Sequence, residues 1–387
     1  MASALARSAL RAADEFRVID LDGALRALVA RAGSDLHLKT GTVPLARING
    51  ELEPLDASAQ PIAAGEIEAV LQSLLAGGPR FAEFEQQHEI DISREIEGVA
   101  RFRINARHQR GGVALVVRAI PHEIKTIDEL LLPPVIATMA EEHRGIILVT
   151  GTTGSGKSTT LAAMIHHINV SRAANIVTIE DPIEFVHDDR RSLIGQREVG
   201  VDTVSFKDAL RRVLRQDPDV ILIGEMRDEE TVQTAMSAAE TGHLVLSTIH
   251  TLDAAETINR MLEFFPPNHH QQVRSMLAST LRGVISQRLV PSADGGRVPV
   301  CEILRTTGRV RDRILKPGDS LDLHNIIFDG AYDGMQPFDQ ALYGHVSAGH
   351  VTVEDAMAAA TSPHDFKLLL EAEGRRGTTM ADVPVEF

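Results

Sequence analysis

One cysteine in 387 residues is too few for a disulfide within the chain or for a cysteine-built zinc element. That residue, Cys301, sits in Val298-Pro299-Val300-Cys301-Glu302-Ile303 and reads as a small core side chain rather than a nucleophile. Positive charge is also short. The formal net charge is −15, so the basic footprint of a general nucleic-acid binder is missing, and the acidity reads as solubility. No apolar run approaches membrane-spanning length. The opening MASALARSALRAADEF lacks the uninterrupted apolar core of a secretory signal and reads as a frayed or amphipathic helix, which leads to the expectation of a cytoplasmic protein. What the chain does have is an ordinary globular balance, 43% hydrophobic and 24% charged, over a length sufficient for two or three cores.

The patterning divides the chain into zones. After a tail at 1–14, residues 15–120 mix helical and strand patterns. Asp20 is placed to cap a helix from Leu21 to Ala32, and strand patterns follow at Asp35–Leu38 and Leu45–Leu55. A helix is expected from about Ile62 to Leu75, and strands at Ile90–Ile96, Ala100–Ala106 and Val113–Val117. This is an α+β domain with an antiparallel sheet. A polar connector from Pro121 to Glu129, followed by Leu132-Pro133-Pro134, makes 121–134 read as a hinge linker. From 135 to 290 strands alternate with helices, the pattern of a parallel sheet with crossover helices. A helical subdomain is expected at 291–374 and a disordered tail at 375–387.

Four strand ends carry the chemistry. The run Gly145–Thr150 leads into Gly151-Thr152-Thr153-Gly154-Ser155-Gly156-Lys157-Ser158, and a helix opens at Lys157 and continues through Thr159. In this strand–loop–helix setting the glycines let backbone N–H groups turn inward around phosphates, at the positive end of the new helix. Lys157 then neutralises the β and γ oxygens of a triphosphate, and the Ser158 hydroxyl suits Mg²⁺. After Ile176–Ile179 come Glu180, Asp181 and Glu184, three carboxylates suited to holding Mg²⁺ and water, or simply to capping the turn at Pro182. After Val220–Ile223 comes Glu225, placed to hold the metal's water shell. His250 follows the strand at Leu244–Thr248, with His243 just before it; a histidine at this edge either senses the γ-phosphate through a hydrogen bond or is simply a satisfied histidine.

These segments together resemble the secretion and pilus ATPase superfamily, and most closely its PilT/PilU branch of type IV pilus retraction motors. GTTGSGKSTT is similar to the branch's phosphate loop, and Ile179–His187 to its Asp box. Asp219–Arg227 is similar to its atypical Walker B strand, and Ala239–His250 to its His box. Gly195–Gly200 and Gly334–Asp339 also match, and the likeness runs from Gly33 to about Leu370. The resemblance implies an α/β fold class: an N-terminal PAS-like α+β domain, then a C-terminal RecA-like P-loop ATPase domain with a parallel sheet and a helical C-terminal cap. It implies a ring of six copies that hydrolyses ATP with Mg²⁺ and powers pilus retraction at the inner face of the cytoplasmic membrane. The implied partners are an inner-membrane platform protein and a paralogous retraction ATPase, with no nucleic acid and only peripheral membrane association. Glu184 becomes the general base, Glu225 the Walker B acid, and Ser158, Glu225 and Asp181 the metal's neighbours. His243 and His250 become couplers of γ-phosphate state to domain position. Arg103 and Arg118, which best match arginines that the branch sets against the nucleotide, are read either as such contacts or as solvated strand charges. Two departures bear on the role. Gly308–Leu315 only loosely resembles the AIRNLIRE segment of the retraction motors proper, which leaves an accessory, PilU-like role or a non-motor ATP-binding ring as the alternative. The single cysteine cannot supply the four-cysteine zinc element of the assembly ATPases.

Overall fold

The structure, a computed structural model, describes residues 19–48, 50–76, 78–120, 124–316 and 321–378. The chain divides into two compact units, Met1–Glu123 and Ile124–Phe387. The N-terminal tail expected at 1–14 lies outside the described residues.

In the first unit the strands are β1 (Asp35–Lys39), β2 (Leu45–Ile48), β3 (Glu51–Pro54), β4 (Glu89–Ile96), β5 (Ala100–Gln109) and β6 (Gly112–Ile120). They form one antiparallel sheet in the order β3-β2-β1-β6-β5-β4. Strict alternation sends Leu36, Leu38, Phe102, Ile104 and Leu115 into a core with the helices Leu21–Ala30 and Glu66–Leu75. The first helix is capped as its sequence suggests, Asp20 Oδ1 accepting from the Gly23 N–H at 2.9 Å. A further helix, Pro79–Gln87, has no sequence expectation behind it, because Phe84 is its only buried residue and one anchor makes no period.

The second unit is built on β7 (Gly145–Thr150), β8 (Asn175–Glu180), β9 (Leu193–Glu198), β10 (Val220–Ile223), β11 (Leu244–Ile249), β12 (Leu281–Pro291) and β13 (Arg297–Arg305). The sheet order is β13-β12-β7-β11-β10-β8-β9, parallel throughout except for the β12–β13 pair. Both faces are covered. Ile146, Leu148, Ile221, Ile223 and Val245 bury themselves in one core, and their alternates Ile147, Val149, Val220, Leu222 and Leu246 in the other.

Three sequence boundaries move. The segment expected to be helical from 291 opens with β13, which completes this second sheet as an antiparallel edge; its largely apolar run Val298–Leu304 is buried on pairing with β12. The linker expected to extend to 134 is shorter, since Ile127 and Leu132 are buried in the core under β7 and the helix Val135–Ala140. The tail expected from 375 begins as helix, because Pro363–Thr378 continues through it, and residues 379–387 lie outside the described residues. No helix among the described residues is long and apolar enough to cross a membrane.

Candidate active site

The loop after β7 is shaped by glycine. Gly151, Gly154 and Gly156 have φ of +143°, +78° and +91°, a region side-chain-bearing residues avoid. Two of them are also sterically required. A Cβ on Gly151 would lie 2.4 Å from the Gln287 carbonyl oxygen, and one on Gly156 would lie 2.7 Å from Gln287 Nε2. The helix Lys157–Ser171 starts at Gly156 with no side-chain cap, so its first N–H groups and its positive dipole end face the loop. Ser155 Oγ is buried there without a hydrogen-bond partner among the described residues. Uncapped donors around a buried hydroxyl fit a row of phosphate oxygens.

The strand order explains the charged groups. Because β11 lies between β7 and β10, the residue after β11 falls between the phosphate loop and the residue after β10. Register sets the heights: Ile249 pairs with Thr150, and Ser247 with Ile223. His250 therefore reaches both neighbours. Its Nδ1 lies 3.4 Å from Lys157 Nζ and its Nε2 3.3 Å from Glu225 Oε1. Lysine can only donate, so Nδ1 accepts and Nε2–H donates to the carboxylate, which selects one neutral tautomer. Lys157, 7% exposed, also donates to the carbonyls of Gly151 and Thr152, each at 2.9 Å. Burial lowers its pKa from the usual lysine value, opposed by the charges of Glu225 and Glu184. At Glu225 burial pushes the pKa up. The hydrogen bond and charge of Arg227, at 2.7 Å, together with His250, outweigh this and hold the carboxyl below its ordinary value. It stays an anion.

The carboxylates after β8 do different jobs. Glu180 is not free for a metal: its Oε1 accepts from Thr178 Oγ1 at 2.6 Å and Gln196 Nε2 at 3.1 Å, and its carboxylate takes the Glu184 N–H. Burial raises its pKa. Glu198 Oε2 accepts from the Ile183 N–H at 3.2 Å. Two acids thus wrap the turn through the cis Asp181–Pro182 peptide and leave Asp181 and Glu184 exposed on it. Glu184 acts electrostatically on Lys157, and Asp181 on Arg227, so both charges lie within reach of the site.

Of the residues expected in the site, this unit brings together the loop 151–159, Lys157, Ser158, Asp181, Glu184, Glu225 and His250. His243 is not among them. It precedes β11, and the strand between it and His250 spans roughly 20 Å, so the two histidines occupy opposite edges of the sheet. There its Nδ1 bonds the Ala238 carbonyl at 2.9 Å and Thr241 Oγ1 at 3.1 Å, fastening the end of the helix Glu229–Glu240. Arg103 and Arg118 belong to the first unit. They stand opposite each other on β5 and β6, on the polar face, where Arg118 Nε pairs with Asp35 Oδ1 at 2.8 Å and Arg103 Nε lies 3.7 Å from Asp91 Oδ1. Two contributors had no sequence expectation. Arg227 clamps Glu225, and Gln287 on β12 touches the phosphate loop.

A glycine loop closing on a buried lysine after a central parallel strand, with a carboxylate anion after the next strand but one, defines the P-loop class of nucleoside triphosphatases. The comparisons with known proteins narrow this. The family model described as Type II/IV secretion system protein matches residues 88–319. The "Type IV pilus retractation ATPase PilT" of Pseudomonas aeruginosa is 43% identical over 343 residues, covering 88% of this chain and 98% of that protein. The "Type IV pilus ATPase PilU" of the same organism is 39% identical over 354 residues, 91% of this chain and 92% of the relative. Among solved structures, that of "the Pilus Retraction Motor PilT and Bound ADP" superimposes with a TM-score of 0.82 at 41% identity, covering 90% of this chain and 99% of that one. The chain belongs to the type II/IV secretion system protein family, in its PilT/PilU branch, and it is an ATPase.

Proposed function

We propose that this chain works as a ring of six that hydrolyses Mg-ATP to withdraw type IV pili, the motion behind twitching motility. The observation that carries the reading is the Lys157–His250–Glu225 relay at the end of three adjacent strands, in a chain 43% identical to PilT. In this reading Lys157 neutralises the β and γ oxygens, and the loop 151–159 cradles them. Ser158, Glu225 and Asp181 would hold Mg²⁺, which would supply charge neutralisation at the phosphates. So small a protein ligand set suits an ion that keeps most of its own water. Glu184, exposed and close enough for its charge to act on Lys157, takes the proton of the water that attacks the γ-phosphorus. His250 touches both the lysine and the acid, so a change in either charge is felt at the strand end between them. Arg103 and Arg118 are proposed as nucleotide contacts only on the resemblance, with solvated strand charges as the alternative. The ring engages an inner-membrane platform protein from the cytoplasmic side, attached to the membrane only through partners.

The accessory reading has its own support: PilU is 39% identical over 91% of this chain, and Gly308–Leu315 departs from the retraction segment. An accessory ATPase would sustain a paralogous motor but fail to restore motility alone to a strain lacking retraction motors. The catalytic reading is tested by Lys157→Ala in the purified chain. We expect ATPase activity to fall by at least about 100-fold, the scale of losing a preorganised charge at the transferring group. Activity that survives the substitution would move the chemistry elsewhere.

A further inference from the structure

We infer that Gln287 is a positioning residue that sets the shape of the phosphate loop from the neighbouring strand. This rests on the nucleotide-binding reading above and goes beyond it. β12 runs parallel to β7, with Ser286 opposite Thr150, and Thr150 Oγ1 donates to Ser286 Oγ at 3.0 Å. One residue further, β7 has become the loop while β12 continues straight, so Gln287 lies against the loop's outer side. It is 3% exposed. Its Nε2 donates to the Ser155 carbonyl at 2.8 Å, and its Oε1 accepts from Thr160 Oγ1 at 2.7 Å. Donor and acceptor are both used, so the amide has one orientation.

The consequence follows from peptide planarity. The Ser155 carbonyl and the Gly156 N–H belong to one trans peptide and point in opposite directions. Holding the carbonyl against β12 aims the Gly156 N–H to the other side, where the proposed phosphates lie. The same amide ties that peptide to Thr160, in the first turns of the helix Lys157–Ser171, and so fixes the loop's angle to the helix dipole. The close approach of Gly156 to Gln287 Nε2 is the steric counterpart of this contact.

Two substitutions separate positioning from mere packing. Gln287→Leu keeps volume and removes both bonds. Gln287→Glu keeps the acceptor for Thr160, but its second oxygen faces the Ser155 carbonyl. When ionised it repels that oxygen; when protonated it donates to it. A buried carboxyl facing a carbonyl is protonated well above the ordinary carboxylate range. The probe is fluorescent N-methylanthraniloyl ADP with Mg²⁺, titrated into the full-length protein at about pH 8 and about pH 6. We expect both variants to bind at least ~10-fold more weakly than the parent at the higher pH. At the lower pH Gln287→Glu should recover to within about threefold of the parent, while the Leu deficit stays unchanged. Binding by Gln287→Leu within about twofold of the parent, or a Glu deficit indifferent to pH, would overturn the inference. Should the Leu variant not fold, the pH response of the Glu variant decides. A parent that binds no nucleotide would instead sink the ATPase reading, and this inference with it.

Discussion

Glu302 on β13 is 3% exposed, and its Oε1 accepts from the Ala254 N–H at 2.8 Å. Burial pushes its pKa up to about 7; the Ala254 hydrogen bond and Arg288 oppose the rise, and Asp253 adds to it. The folded chain therefore holds this proton more tightly than the unfolded chain, where the carboxyl titrates near ~4.3. The sign is fixed by that order: the stabilising contribution is complete below the unfolded value and is lost as pH rises through about 7. Its size is at most about 4 kcal/mol. Glu302→Gln should melt with a flatter dependence on pH than the parent between about pH 5 and about pH 8, and equal slopes would remove Glu302 from the account. The same scale shows what a sequence can reveal of a site. Lys157, Ser158 and Glu225 are legible because each sits at a fixed step from a readable strand end. His243 enters the site only through the resemblance, and the strand that separates it from His250, itself readable, is what keeps the two apart. Gln287 has no such signature. Its value comes from a parallel neighbour more than a hundred residues away, and nothing local marks a glutamine as buried.

Among the elements, the helix Glu229–Glu240 starts directly behind the Walker B residues and depends on its cap. Asp228 Oδ1 accepts from the Thr231 N–H at 2.9 Å and Oδ2 from Thr231 Oγ1 at 3.1 Å, satisfying a donor the helix cannot satisfy itself. Asp228→Ala should cost about 1 kcal/mol of stability, measured by denaturant unfolding, with no shift in nucleotide affinity beyond that expected from stability. A large loss of binding with unchanged stability would mean that the cap sets the position of Glu225 as well. Elements of this kind were the most legible, since β7, β8, β10 and β11 are apolar runs ended by polar residues. Edges were less so. β9 alternates only weakly, and β13 lies past Pro291 and the Ala293–Gly296 turn, which reads as the end of a sheet until its pairing with β12 is seen. Residues 124–134 look like linker because the charged and polar residues up to Glu129 and the prolines at 133 and 134 break any regular period, yet Ile127 and Leu132 are taken into the core.

For the whole molecule, the formal charge of −15 opposes the proposed ring, because closing six copies around an axis concentrates like charge. The cost depends on screening. The Debye length is about 30 Å at 0.01 M salt, which spans neighbouring subunits, and about 10 Å at 0.1 M, which does not. Assembly in the presence of magnesium nucleotide should therefore strengthen as salt rises from about 0.01 M to about 0.15 M. ATP turnover per chain should rise with it if the N-terminal arginines of one subunit complete a site on another. Sedimentation velocity at fixed protein concentration reads the first, and turnover in the same buffers reads the second. Weaker assembly at the higher salt would mean that charge pairs across the subunit contact outweigh the net repulsion. Monomers at every salt concentration, with turnover unaffected by protein concentration, would leave a competent ATPase with no ring through which to pull.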